Sequence, residues 1–208
     1  MIHVLITVKP STRYPGKNAR LAGYTVAWLA WEILHTEEAV QVYTVGARQE
    51  LPRDLPPGWH HIECSTGSHR GDIEHAEAQI VTAPGDVMIL AQLTQPLRRR
   101  GLLADVAEMA RWHGCAVTAC DFRRDEWRAL SYSGAWNAHK GGREVLHDGA
   151  LYGWQPGKVG MVFDATSDHG VVLNYAGAPV DIDTPGDEPL ALSAHFAALL
   201  FQDYGLNP

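Results

Sequence analysis

The feature that most constrains this chain is a repeated alternation of short apolar runs with helix-spaced segments. "HVLITV" (3–8), "AVQVYTV" (39–45), "DVMILAQL" (86–93) and "CAVTACDF" (115–122) are strand-length and almost uninterruptedly apolar. A strand that is apolar on both faces needs cover on both, so these runs predict a largely parallel sheet with helices above and below it. Apolar residues at three- and four-residue steps predict helices over 24–36 and 101–114, the second closed by Gly114. A further helix is predicted over 74–83, ended by Pro84-Gly85, and a closing helix over 187–205. Residues 46–60, rich in Pro, Gly and Arg, read as loop. Residues 123–147 are polar and Gly-containing and read as an excursion from the sheet, while 149–154 and 179–184 read as later strand-like pieces. The 208 residues suit one α/β domain over 1–208, without a repeat or a clear linker.

Composition narrows the partners. The chain is 46% hydrophobic and 20% charged, enough to bury a full core, and it has no apolar run of about 18 residues for a membrane span. No basic start followed by an apolar stretch and a small-residue cleavage site is present, so no signal peptide is expected. With a formal net charge of −7 the chain lacks the basic surface that nucleic acid demands. Cys64, Cys115 and Cys120 are odd in number and fit neither a zinc site nor a disulfide framework, which predicts a reducing, cytoplasmic setting. The expected partners are therefore small molecules, with no nucleic acid and no membrane.

In a sheet of this kind ligands gather at the carboxyl ends of the strands, and three stretches reach that edge. "KPSTRYPGKN" (9–18) follows the first strand and sets Lys9, Arg13 and Lys17 among Pro10, Pro15 and Gly16. Tight-turn N–H groups with Lys and Arg can hold phosphate oxygens, although the Walker spacing is absent and a solvated turn would look the same. "AQLTQPLRRRG" (91–101) places the uncharged Gln92 and Thr94 where a buried strand emerges, suited to reading a base or sugar edge. The plain alternative is a strand end with helix-start chemistry, with Arg98, Arg99 and Arg100 as a solvated face. "VDIDTPGDEPLAL" (180–192) carries Asp181 and Asp183 two apart on an extended segment, hence on one side. Two convergent carboxylates suit Mg²⁺, whereas the alternative has Asp183 or Thr184 capping the next helix. Phosphate cations, a polar reader and a carboxylate pair together are the equipment for attack on a nucleoside triphosphate.

These stretches resemble the sugar-activating cytidylyltransferases. "STRYPGK" is close to the first loop of the 3-deoxy-manno-octulosonate cytidylyltransferases, and Asn18 completes the "KN" of the acylneuraminate enzymes, the group this chain most resembles. "QLTQPLR" is similar to their "QPTSPLR", "DGALYGW" to "NGAIYI", and "VDIDTPGD" to "VDIDTxED"; the four blocks occur in order along almost the whole chain. The resemblance implies a nucleotidyltransferase (glycosyltransferase-A-like) fold, a three-layer sandwich with a mixed, mostly parallel sheet. It implies a Mg²⁺-dependent reaction of CTP with a sialic-acid-like sugar, giving a CMP-sugar and pyrophosphate. It puts Lys9, Ser11, Arg13, Lys17, Asn18 and Gln92 on the nucleotide, Gln92, Asp148 and Tyr152 on the sugar, and Asp181 and Asp183 on Mg²⁺. Lys17, Asp181 and Asp183 are the candidate catalytic residues, and a homodimer built through the 123–147 excursion is implied. The chain departs from the pattern at Val8, where the family has Arg, and at Asp148, where it has Asn. A carboxylate facing the sugar at 148 would work against an acidic acceptor. The alternatives are a nucleotide-sugar-dependent glycosyltransferase or other nucleotidyltransferase on the same fold, and a nucleotide-binding protein without turnover.

Overall fold

The computed structural model describes residues 1–10, 15–48, 56–121, 137–140, 143–164, 169–174, 182 and 184–187. The chain runs β1 (Ile2–Val8), α1 (Lys17–His35), β2 (Val40–Gly46), β3 (His60–Glu63), α2 (His69–Glu77), β4 (Val87–Ala91), α3 (Leu102–His113) and β5 (Cys115–Asp121). It continues through β6 (Asn137–Lys140), β7 (Arg143–Trp154), α4 (Val159–Val162) and β8 (Gly170–Leu173). The sheet order is β3-β2-β1-β4-β7-β5-β8, with β6 paired to β7 beside this path. β1, β2, β3 and β4 are mutually parallel, as are β5 and β8, while β7 lies antiparallel between β4 and β5.

The apolar strands behave as their composition requires. Every residue of β1 and β4 is buried, and their side chains alternate between two cores. Ile2, Val4 and Ile6 of β1 meet Leu21, Trp28 and Leu29 of α1 and Leu103 and Val106 of α3 on one face. Leu5, Met88 and Leu90 meet Ile73 and Ala76 of α2 and Val159 and Val162 of α4 on the other. The predicted mixed, mostly parallel three-layer arrangement is what the chain adopts. Among the described residues no helix is long and apolar enough to cross a membrane. All three cysteines are free and buried.

Several boundaries differ from the sequence reading. α1 starts at Lys17 rather than at 24, because Asn18, Leu21 and Ala22 extend the buried stripe toward the N-terminus across Gly23. α2 starts at His69 rather than at 74, since the Ser68 side chain caps it by accepting from the Gly71 N–H at 2.9 Å. It stops at Glu77, six residues before the predicted end. β3 and β8 carry too little sequence signal to have been predicted. The 149–154 strand is the second half of a longer β7, whose antiparallel direction is decided by its neighbours and not by its own pattern. The predicted strand over 179–184 falls largely, and the closing helix over 187–205 almost entirely, outside the described residues.

Candidate active site

The loop after β1 is tied at its base. The Asn18 side chain, buried in the first turn of α1, donates from Nδ2 to the Lys9 carbonyl at 2.8 Å, joining the two ends of the 9–18 segment. Lys9 Nζ lies 2.9 Å from Asp72 Oδ2 in the first turn of α2. Burial would push the Asp72 carboxyl up, but hydrogen bonds from Lys9, from Thr66 N and Oγ1 and from Cys64 Sγ overcome it and hold the group well below the usual carboxylate range. Asp72 thus sets the position of Lys9. Next to them His69 places Nδ1 3.5 Å from Thr7 Oγ1, and burial, then the Lys9 charge, push its pKa down. α1 itself begins at a left-handed Gly16, φ 76°, with no side-chain cap and no acidic residue in its first turn. A helix start of that kind, carrying Lys17, Asn18 and Arg20, favours an anion.

The second part of the site is the emergence of β4 beside a bulge in β7. Register is kept at Val117↔Tyr152 and at Ala119↔His147, so Thr118 alone faces Asp148–Leu151. Gly149, at φ 70°, supplies the left-handed residue that lets the strand buckle. Thr118 Oγ1 accepts from Leu151 N at 2.9 Å in place of a ladder bond. Asp148 secures the other side of the bulge. Its Oδ1 accepts from Thr118 Oγ1 at 2.5 Å and from Ala150 N at 3.0 Å, and its Oδ2 accepts from Asn174 Nδ2 at 2.7 Å. Asp148 is 0% exposed. Burial raises its pKa, against the lowering effect of those three donors and of Arg98.

Arg98 locks these pieces together. It is 7% exposed, so the reading of residues 98–100 as a solvated face is corrected for it. Nε donates to the Ala150 carbonyl at 3.2 Å, Nη1 to Thr25 Oγ1 at 3.0 Å and Nη2 to the Gln92 carbonyl at 2.5 Å, while the guanidinium lies over the Trp28 ring at 5.0 Å. One side chain therefore joins α1, the end of β4 and the β7 bulge. Burial pushes its pKa down to about 9, opposed by Asp148. Three accepting oxygens keep it protonated at neutral pH. Arg99 is likewise engaged, donating from Nε to the Leu173 carbonyl at 2.8 Å and pairing with Asp105; only Arg100 is exposed, over the Trp31 ring.

The 180–192 segment meets this edge at one described residue. Ile182, 1% exposed, donates its backbone N–H to the Thr94 carbonyl at 2.9 Å. The following turn is closed by Asp187 Oδ2, which accepts from Thr184 N at 2.7 Å and from Thr184 Oγ1 at 2.9 Å. The stretches around Lys9, Gln92 and Ile182 are thus brought to one edge of the sheet, on the adjacent strands β1 and β4 and beside the loop after β4. Ser11, Arg13, Asp181 and Asp183 lie outside the described residues. Among the described residues no group of three His, Cys, Asp or Glu side chains could hold a metal. Gln92 is half-buried, with Oε1 3.5 Å from Thr94 Oγ1; Tyr152 stacks on Phe163 at 5.9 Å. Sequence reasoning passed over Gln95, Arg98, Thr118, Gly149 and Asn174. Of these only Arg98 left a trace, as a cation directly after the apolar "PL".

No family model matches this chain, and no curated protein matches it. Solved structures do. The chain is similar to Rv0371c from Mycobacterium tuberculosis H37Rv, with 12% identity, 93% of this chain and 98% of that chain covered and a TM-score of 0.63. A manganese complex of that protein gives 12% identity, 92% and 97% coverage and a TM-score of 0.58. A 4-diphosphocytidyl-2C-methyl-D-erythritol synthase from Anaerococcus prevotii DSM 20548 shares 10% identity over 96% of this chain and 98% of that chain, with a TM-score of 0.58. A CMP:2-keto-3-deoxy-manno-octonic acid synthetase complexed with CTP shares 14% identity over 95% and 98%, with a TM-score of 0.57. The fold is the mixed, mostly parallel α/β fold of the nucleotidyltransferase type that these solved proteins share.

Proposed function

We propose that the protein is a Mg²⁺-dependent cytidylyltransferase that couples CTP to a hydroxylated sugar, with sialic-acid-like sugars as the acceptor class its sequence resembles. The observation that carries this reading is the hydrogen bond from Ile182 N to the Thr94 carbonyl, which brings the middle residue of the D-I-D sequence to the loop after β4, two residues on from Gln92. The CTP complex of a protein with the same fold supports the choice of nucleotide.

In this reading the sugar hydroxyl oxygen attacks the α-phosphorus of CTP. The bond from that phosphorus to the bridging oxygen breaks, pyrophosphate leaves, and the hydroxyl proton passes to Asp181, Asp183 or water. Lys17 and the open first turn of α1, with Asn18, bind the triphosphate, and Ser11 and Arg13 contribute from the loop. Lys9, held by Asp72, adds fixed positive charge beside it. Gln92 orients the nucleotide or the sugar, and Tyr152 the sugar. Asp148 acts through the bulge it holds. Asp181 and Asp183 flank the buried Ile182 in the sequence, and the turn after them is closed by Thr184 and Asp187. In this reading Asp181 and Asp183 would hold the metal as a pair of hard oxygen ligands, and Mg²⁺ there would supply neutralisation of phosphate charge. Most of the rate then comes from positioning and preorganised charge. A cytoplasmic homodimer built through the 123–147 segment completes the proposal.

Pyrophosphate release from CTP with a panel of sugars and sugar acids tests the reading. Turnover should need Mg²⁺, fall in Lys17→Ala through weaker CTP binding, and vanish in Asp183→Asn. Full activity in Asp183→Asn would refute the metal assignment. Release of a nucleoside diphosphate from a nucleotide sugar, without pyrophosphate from CTP, would replace the proposal with a glycosyltransferase.

A further inference from the structure

The outer side of α1 has no acidic or basic residue along its middle. Between Arg20 and Glu37 the one Asp, Glu, Lys or Arg is Glu32, which is 2% exposed and gives its two carboxylate oxygens to the Gly101 and Leu103 N–H groups. Leu21, Trp28 and Leu29 turn inward to the core. Facing water instead is a row made of Arg20, Gly23, Ala27, Ala30 and Leu34, with Glu37 exposed just past the helix end. Leu34 is 79% exposed, and the half-exposed Tyr24 and Ile33 flank the row on its two sides. A helix side meant for water carries charged and polar residues, so this side lacks the composition of a solvated face.

The row also has an order. From Arg20 through Gly23, Ala27, Ala30 and Leu34 to Glu37 the steps are three, four, three, four and three, the spacing at which one helix seats along another. That spacing is the same from either end. Two such helices laid antiparallel bring Arg20 opposite Glu37, Gly23 opposite Leu34 and Ala27 opposite Ala30, and a two-fold axis through the middle makes each pair twice. We propose that this face of α1 docks against the same face of a second copy of the chain, antiparallel and about a two-fold axis. Charge favours that occupant over others. The row runs from a cation to an anion, and an antiparallel copy presents the reverse order. Two chains of formal net charge −7 repel each other, and an uncharged strip is where they can approach. Ala27 and Ala30 at the centre let the backbones come close, and each Leu34 is covered at Gly23 of the other copy. The contact is separate from the 123–147 segment and does not depend on the proposed activity.

The experiment measures the mass of the full chain by sedimentation equilibrium, without nucleotide, from about 1 to 100 μM. It compares the natural protein with Ala27→Glu, Arg20→Glu, Glu37→Arg and the double exchange Arg20→Glu with Glu37→Arg. Ala27 is exposed and glutamate is a good helix former, so Ala27→Glu should keep the helical circular dichroism of the natural protein. In the upper part of the range the natural protein should have twice the mass of Ala27→Glu. Each single reversal sets like charges together at both ends of the contact and should raise the dissociation constant about tenfold. The double exchange restores opposite charges with their signs swapped and should return it to within about threefold of the natural value. A natural protein that is monomeric throughout overturns the inference. Equal masses for the natural protein and Ala27→Glu also overturn it, and assign any self-association to another surface such as the 123–147 segment. A double exchange no tighter than the single reversals overturns the antiparallel pairing. Should Ala27→Glu fail to fold, the charge series decides, because it leaves the uncharged strip intact. No step uses CTP, so the outcome stands apart from that of the pyrophosphate assay.

Discussion

Replacing Arg98 by methionine removes the one side chain that holds α1, the β4 terminus and the β7 bulge together. Methionine keeps the unbranched aliphatic part of the side chain and has no donors. Three hydrogen bonds from a charged group are lost, to the Ala150 carbonyl, Thr25 Oγ1 and the Gln92 carbonyl. At about 1.5–3 kcal/mol each the gross loss is about 5–9 kcal/mol. Against it stands the relief from keeping a guanidinium out of water. Its pKa is pushed down to about 9. That depression corresponds to about 5 kcal/mol at about 1.4 kcal/mol per unit. Asp148 also loses its compensating charge and must take up a proton or stand alone, which adds to the cost. The balance is a destabilisation of about 2–4 kcal/mol. Urea unfolding of the two proteins measures it, as a midpoint lowered by about 1–2 M at unchanged slope. Lysine at 98 should not rescue, because one ammonium cannot serve three acceptors on three elements. A midpoint within about 0.3 M of the natural protein would refute the reasoning and show that the three bonds do no more than offset the burial.

Asp148→Asn should fold and lose about 1 kcal/mol. Thr118 can turn its hydroxyl to the Leu151 carbonyl at 3.2 Å and accept from the new amide, but Ala150 N loses its acceptor. Because Asp148 has no exposed surface, the variant should show an unchanged preference between neutral and acidic sugars in the pyrophosphate assay. Acid should weaken the fold through Asp86. Burial raises its carboxyl, but Ala83 N, the Met1 ammonium and His3 outweigh it and hold the pKa down to about 2. A depressed carboxylate stabilises the fold above the unfolded value near 4, and that contribution, about 2 kcal/mol, is lost as pH falls from about 4 to 2. Urea midpoints measured across that window should fall more steeply for the natural protein than for Asp86→Asn. Gly23→Ala should raise the melting temperature by a few degrees, about 0.5–1 kcal/mol. The position is helical, and an added Cβ meets nothing within 4 Å.

How much of this was legible depended on whether a residue's environment is set locally. β1 and β4 could be read because a strand apolar on both faces has one stable place, inside a covered sheet. α3 could be read because Gly101 and Gly114 punctuate both ends of a periodic run. The direction of β7 could not, since "GALYGW" fits either orientation and only its neighbours choose. The same limit applies in the site. Lys9, Gln92 and the D-I-D segment were read together because strand ends collect ligand chemistry, and the ends of β1 and β4 do lie at one edge, with Ile182 bonded to the loop after β4. Asp148 was singled out by its motif, yet its burial depends on Thr118 and Asn174, thirty and twenty-six positions away. Arg98 was taken for surface because three of the oxygens that bury it belong to residues 25, 92 and 150.

That distribution of charge has a consequence for how the site can evolve. Two sets of titratable groups at the edge are held by the fold. Asp148 and Arg98 face inward and are occupied in holding the bulge and the β4 terminus in place. Lys9 is fixed by Asp72 on the opposite face of the sheet, next to the start of α1. The side chains of Gln92, Gln95 and Tyr152 pack around the buried Gly149. None of the bonds that hold the bulge uses a side-chain atom of these three, so substitutions there should leave the bulge in place. A change in Arg98 does the reverse, moving the geometry of every group at once. Within the one stretch "AQLTQPLRRR", Gln92→Ala should therefore leave the urea midpoint close to that of the natural protein, while Arg98→Met lowers it.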